Sequence, residues 1–283
     1  MQIDGRRILF TDENLKRVRE FARYPHTTLD QHLFQIAKNT ETFVYVFELY
    51  LRTIYAQYFS QISSVERAIC ELISLHKLQG EFSQPFASDK QKCASGILTT
   101  MLQQRLTYFF LNLDPQHAMR IHQLGNEQGM REVAWKEVVV NAVSCARTIT
   151  NFLAVSNCYA FLPTIEESLN HDVDLIIITD QHENWCVRVQ PGAINGDFYV
   201  EHVSNRPDPS FTDVSNMTRR EIYNGAKQMT HSYSEQFLAC RIIVGKTNGD
   251  PVDLTLYPKD KVRLTTFITR KRPQGKAQKD EAA

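Results

Sequence analysis

Asp172, Asp174, Arg188 and Gln190 fall within the single stretch HDVDLIIITDQHENWCVRVQ, residues 171–190. Two aspartates one residue apart can share a strand face, where both carboxylates could ligate one divalent cation. The same pair can equally be a solvated feature at a strand entrance, where aspartate is ordinary. Gln190 brings an amide that can both accept and donate, and Arg188 a permanent planar cation without a lone pair to offer. The chemistry that such residue types could support is the binding of a divalent cation.

Such residues can meet only if the chain folds back on itself. The run DLIIIT, 174–179, reads as one strand and WCVRVQ, 185–190, as the next, with a short polar turn between them. Pairing Thr179 with Trp185 sets Asp174 opposite Gln190, Ile176 opposite Arg188 and Ile178 opposite Cys186. Side chains alternate along a strand, so Asp174, Arg188 and Gln190 share one face of this hairpin. A slip of one residue would send Asp174 to the other face.

This arrangement resembles the core of the PD-(D/E)XK nuclease superfamily. There an Asp heads one strand, and an E-x-K or E-x-Q tripeptide on the next completes a metal site. The resemblance implies that Asp174 stands at the first acid and Gln190 at the last position of the tripeptide. Arg188 then occupies the place of the second acid, where a guanidinium repels a metal that a carboxylate would bind. Asp174, Arg188 and Gln190 are thus the degenerate motif positions, and any metal would have to draw its missing ligands from Asp172, Asp174, Asp180 or a helix acid such as Glu167. The short helix expected over 163–170 carries Glu166 and Glu167, and the family often has an extra acid on the equivalent helix.

The following segments keep to the same order of elements. DFYVEHV, 197–203, reads as a third strand beyond the Pro191-Gly192 turn. A helix is expected over 215–233, with Thr218 and Glu221 spaced as a capping box. FLACRIIV, 237–244, is a further strand, and Asn248-Gly249-Asp250 marks a turn.

The first half is a different kind of sequence. Helical patterns cover 11–23, 29–38 and 40–59, then 89–112, the segment from Asp114-Pro115 through Leu124, and 131–153. Ser63 and Glu66 form a capping box before another helix that Gly80 would stop. The 40–59 segment carries Phe43, Tyr45, Phe47, Tyr50, Tyr55, Tyr58 and Phe59 nearly all round, which places it centrally in its bundle or against a partner. The expected fold class is therefore α+β. A helical domain, 1–156, precedes a restriction-endonuclease-like α/β core with a mixed sheet, 157–269, and a disordered tail, 270–283.

Composition narrows the function. Of 283 residues, 42% are hydrophobic, enough for a substantial core, and 32 basic residues balance 32 acidic ones. A dedicated nucleic-acid binder would carry a basic excess. Arg219, Arg220 and Lys227 on the expected 215–233 helix could face a phosphate backbone, but solvated helix charges are commoner. No stretch reads as a charge-free membrane span, and the start MQIDGRR does not read as a signal peptide. The six cysteines lie in apolar runs without paired spacing, as buried cytosolic thiols do, so a cytoplasmic location is expected.

Other motifs fail. Gly245-Lys246-Thr247 lacks the first glycine of a phosphate loop, there is no G-x-S-x-G, and His117 and His122 lie on different helix faces. The sequence thus points to a non-catalytic adaptor or scaffold subunit that needs no cofactor. It would bind protein partners or itself, without membrane insertion. The alternative is a divergent nuclease using magnesium or manganese on DNA or RNA.

Overall fold

The computed structural model describes residues 12–13, 16–17, 39–58, 64–82, 88–112, 132–195, 198–205, 213–246 and 258–269. Among the described residues the long helices of the first half are four: α1 (Thr40–Tyr58), α2 (Ser64–Phe82), α3 (Asp89–Asn112) and α4 (Glu132–Val155). There follow β1 (Tyr159–Phe161), α5 (Ile165–His171), β2 (Leu175–Ile178), β3 (Asn184–Asn195) and β4 (Phe198–His202). The chain then runs through α6 (Asp213–Tyr233), β5 (Phe237–Lys246) and α7 (Pro258–Thr269). The expected helices over 11–23, 29–38 and 114–124, with His117 and His122, lie wholly or largely outside the described residues, as does the 270–283 tail.

The strands form one mixed sheet in the order β1-β2-β3-β5-β4. Among the described strands only the β3–β5 pair is parallel; β1–β2, β2–β3 and β4–β5 are antiparallel. A parallel pair needs a crossover, and α6 supplies it by covering one face of the sheet. The architecture is α+β, as the change of sequence pattern indicates.

Alternation sorts the two faces. Trp185, Val187 and Val189 of β3 join Leu175, Ile177, Cys240, Ile242 and Val244 on one side. Cys145, Ile149 and Phe152 of α4 and Leu264 of α7 lie in that same cluster, so the last long helix of the first half shares its core with the sheet. Phe152 and Phe267 both meet Trp185 edge to face. On the other side Cys186 and Ala239 lie under Ile222, Ala226 and Met229 of α6. Gly225 lets α6 approach α5 closely: a β-carbon there would stand 2.0 Å from the His171 carbonyl oxygen.

Several local expectations change. The β2–β3 register is two residues tighter than expected, pairing Leu175 with Val187 and Ile178 with Asn184. The cause is a shorter loop: Thr179 N–H donates to the Glu183 carbonyl at 3.0 Å, and His182 takes a left-handed φ of 58°. An even shift keeps each side chain on its face. The helix expected from 215 begins at Asp213, so Thr218 and Glu221 are interior and form no capping box. Gly80 does not stop α2, which continues to Phe82.

One reading of helix surroundings also changes. On α1, Phe43, Phe47 and Leu51 make one buried stripe, whereas Tyr45 is 67% and Leu49 51% exposed. The helix is amphipathic and not enclosed on all sides. The segment Glu137–Val155 is long and apolar enough by composition to cross a membrane, but 67% of its span is buried inside the protein, against the sheet. Among the cysteines, Cys93 is exposed and the other five are buried.

Candidate functional site

The end of α5 and the start of β2 bring Asp172 and Asp174 together. Thr164 caps α5: its hydroxyl accepts the Glu167 N–H at 3.2 Å, and the Glu167 carboxylate accepts the Thr164 N–H at 2.6 Å. Asp172 ends the helix in the left-handed region at φ 54°, a conformation that aspartate tolerates better than most residues. This turn directs the chain into β2, and both carboxylates reach the same guanidinium. Arg188 Nη1 lies 2.8 Å from Asp172 Oδ1 and 3.2 Å from Asp174 Oδ1.

Asp174 is the buried member, 7% exposed, while Asp172 is half-exposed. Its other oxygen accepts the Val189 backbone N–H at 2.8 Å. β2 begins only at Leu175, so the carboxylate provides the acceptor that a longer strand would have offered to β3. Gln103 of α3 donates to Asp174 at 3.3 Å. Burial pushes the Asp174 carboxyl from 3.8 up to about 6, even though Arg188, the Val189 N–H and Gln103 all pull it down; Asp172 adds to the rise.

These groups line a cleft of about 240 Å³ between α3, α4 and the 162–174 segment. Thr100, Gln103 and Gln104 form its helical wall, and Ser168, Asp172 and Arg188 the opposite one. Cys145 closes the floor; burial and the charge of Asp174 hold its thiol well above the ordinary range, so it is no nucleophile at neutral pH.

The structure brings together Asp172, Asp174 and Arg188, all expected from the sequence. Gln190 is half-buried on the same strand but does not line the cleft, because the tighter register sets Arg188, not Gln190, beside Asp174. Glu167 does not join Asp174 either. It is buried with its carboxylate on the Thr164 N–H and on the Tyr233 hydroxyl, as a helix cap facing another side of the molecule. Among the described residues no group of three or more His, Cys, Asp or Glu could hold a metal ion. Sequence reading missed Gln103, for which a single glutamine on an amphipathic helix gives no signal.

Arg219 does not face solvent. It is buried and gives Glu201 an Nη1 contact at 2.6 Å, while Arg241 holds the other carboxylate oxygen at 2.5 Å. Arg220 and Lys227 are exposed on α6. Arg241 pairs with both Arg188 and Glu201 in the sheet register. A row of charges therefore crosses one face of the sheet: Asp174, Arg188, Arg241, Glu201. Comparison of the chain with protein-family models, curated proteins and solved structures finds no match.

Proposed function

We propose that this protein is a non-catalytic adaptor or scaffold subunit of a macromolecular assembly, built on a degenerate nuclease-like fold. One observation carries the reading: the Arg188 guanidinium sits between Asp172 and Asp174, on the oxygens that a divalent ion would need. A fixed cation there neutralises both acids and repels a metal. The helix–strand order around the cleft supports the nuclease-like ancestry. The exposed Tyr45 and Leu49 of α1 support a protein-binding role.

Titration calorimetry with manganese tests the first half of this reading. The unmodified protein is expected to give no binding heat. Tight one-to-one binding that Asp174→Asn abolishes would overturn it in favour of a divergent nuclease acting on DNA or RNA. That second reading has one observation on its side, two carboxylates facing one polar cleft. Affinity purification before and after nuclease digestion tests the second half: protein partners are expected to survive digestion, and recovery of nucleic acid alone would refute an adaptor.

A further inference from the structure

A second concavity lies away from the Asp174 cleft, where α1 passes the first turn of α5 and the end of α6. It measures about 900 Å³. Val44 and Ile165 give it an apolar floor, and two tyrosines stand over that floor in the open, Tyr45 at 67% and Tyr233 at 52% exposure. Glu41, Glu48 and Glu166 line its edge, and among the described residues neither lysine nor arginine lines it. Large aromatic side chains left in water around an apolar groove are what a docking surface leaves exposed before its partner arrives.

The charges decide the kind of partner. Glu48 is held by Arg105 at 2.9 Å, and Glu167 is engaged with Thr164 and Tyr233. Glu41 and Glu166 remain exposed. Each sits in the first turn of its helix, where the dipole favours an acid, but a terminus contributes only about half a positive charge against a full carboxylate. The groove is therefore net acidic. A phosphate backbone would be repelled from it, and a cationic chain attracted.

Length sets the size of that chain. The α1 wall runs from Thr40 to Glu48, which at about 1.5 Å per residue is about 12 Å, or two helical turns. We propose that this groove docks a short cationic amphipathic segment of a partner protein, with aliphatic side chains on Val44, Tyr45 and Ile165 and lysines or arginines on Glu41 and Glu166. Two turns of an apolar stripe against an apolar floor is the helix-in-groove mode of recognition. The inference rests on the adaptor reading and gives it a surface.

Fluorescence anisotropy with full-length protein tests it. The probes are a labelled peptide of about fifteen residues with leucine and lysine at helical spacing, and its counterpart with glutamate for every lysine. The lysine peptide is expected to bind saturably. Tyr45→Ser, and separately the pair Glu41→Gln and Glu166→Gln, should each weaken it about tenfold. The control pair Asp180→Asn and Glu221→Gln, on other exposed surface, should leave affinity unchanged. Tyr45 is exposed, so its replacement should also leave the thermal melt unchanged. Equal weakening by the control pair, equal binding of the glutamate peptide, or no saturable binding would each overturn the proposal. The manganese titration on the same samples keeps the two ideas apart, since metal binding would sink the non-catalytic reading without touching the peptide result.

Discussion

Asp174→Asn should change how stability depends on pH more than it changes stability itself. In the folded protein the Asp174 carboxyl is held at about 6, against an ordinary 3.8. A raised carboxyl binds its proton more tightly when folded than when unfolded, so acidification through this window stabilises the folded state. The contribution is fully present below 3.8 and is lost as pH rises through about 6. The gap corresponds to about 3 kcal/mol in full, and to about 1.4 kcal/mol gained between pH 7.5 and pH 5. Asparagine cannot titrate, so the wild type should gain that amount relative to the variant over this range, all other groups cancelling. Urea unfolding at a series of pH values, followed by tryptophan fluorescence, measures the difference, because Trp185 is buried in the main core. A gap that stays constant would refute the reasoning. A gap of opposite sign would show that Arg188 and the Val189 N–H outweigh burial.

Three further outcomes test the framework. Gly225→Ala should destabilise by at least about 2 kcal/mol in a thermal or urea melt, despite alanine's better helix propensity, because its methyl group would overlap the His171 carbonyl; a more stable variant would show that α5 and α6 are not so close. Arg241→Leu strips Glu201 of one of its two cations and should cost about 3–5 kcal/mol by urea denaturation. Converting Glu201, Arg219 and Arg241 together to apolar residues should recover most of that loss, and no recovery would mean that packing, not charge, is at stake. Thr164→Ala removes the cap of α5 and should cost about 1 kcal/mol in the same assay; no change would mean that Glu167 holds the turn through Tyr233 alone.

What the sequence made legible follows from the range of the forces involved. α3 was expected over 89–112 and ends there, because its apolar positions repeat at helical spacing and Asp89 opens its first turn. The faces of Asp174 and Arg188 were legible for the same local reason, the alternation along a strand. Their partnering was missed by one step of two residues, since the left-handed turn at His182 has no glycine to announce it. The Thr164–Glu167 cap has the spacing of a capping box, yet those letters also suit an acidic metal ligand, and only Tyr233, far along the chain, decides against that role. The Glu201–Arg219–Arg241 cluster was out of reach. Glu201 and Arg219 sit in amphipathic patterns where a charge reads as solvated, Arg241 is a lone charge in an apolar run, and the sheet order that buries them together is set by the whole core.

The row of charges across the sheet has a consequence for how this protein can change over time. Two arginines stand side by side on β3 and β5, an arrangement that repels itself unless carboxylates flank it on both sides. Asp174 closes the row at one end and Glu201 at the other. Losing Glu201 takes the shared carboxylate from Arg219 and Arg241, losing Asp174 leaves Arg188 with the half-exposed Asp172, and losing either arginine leaves a carboxylate short of a counter-ion. The same row keeps the strands in step, because moving β5 by one position would drive Arg241 into the apolar cluster around Trp185. These residues are therefore expected to be inherited as a set. Among distant copies of this chain, an aspartate changed at 174 should be accompanied by a change at 188.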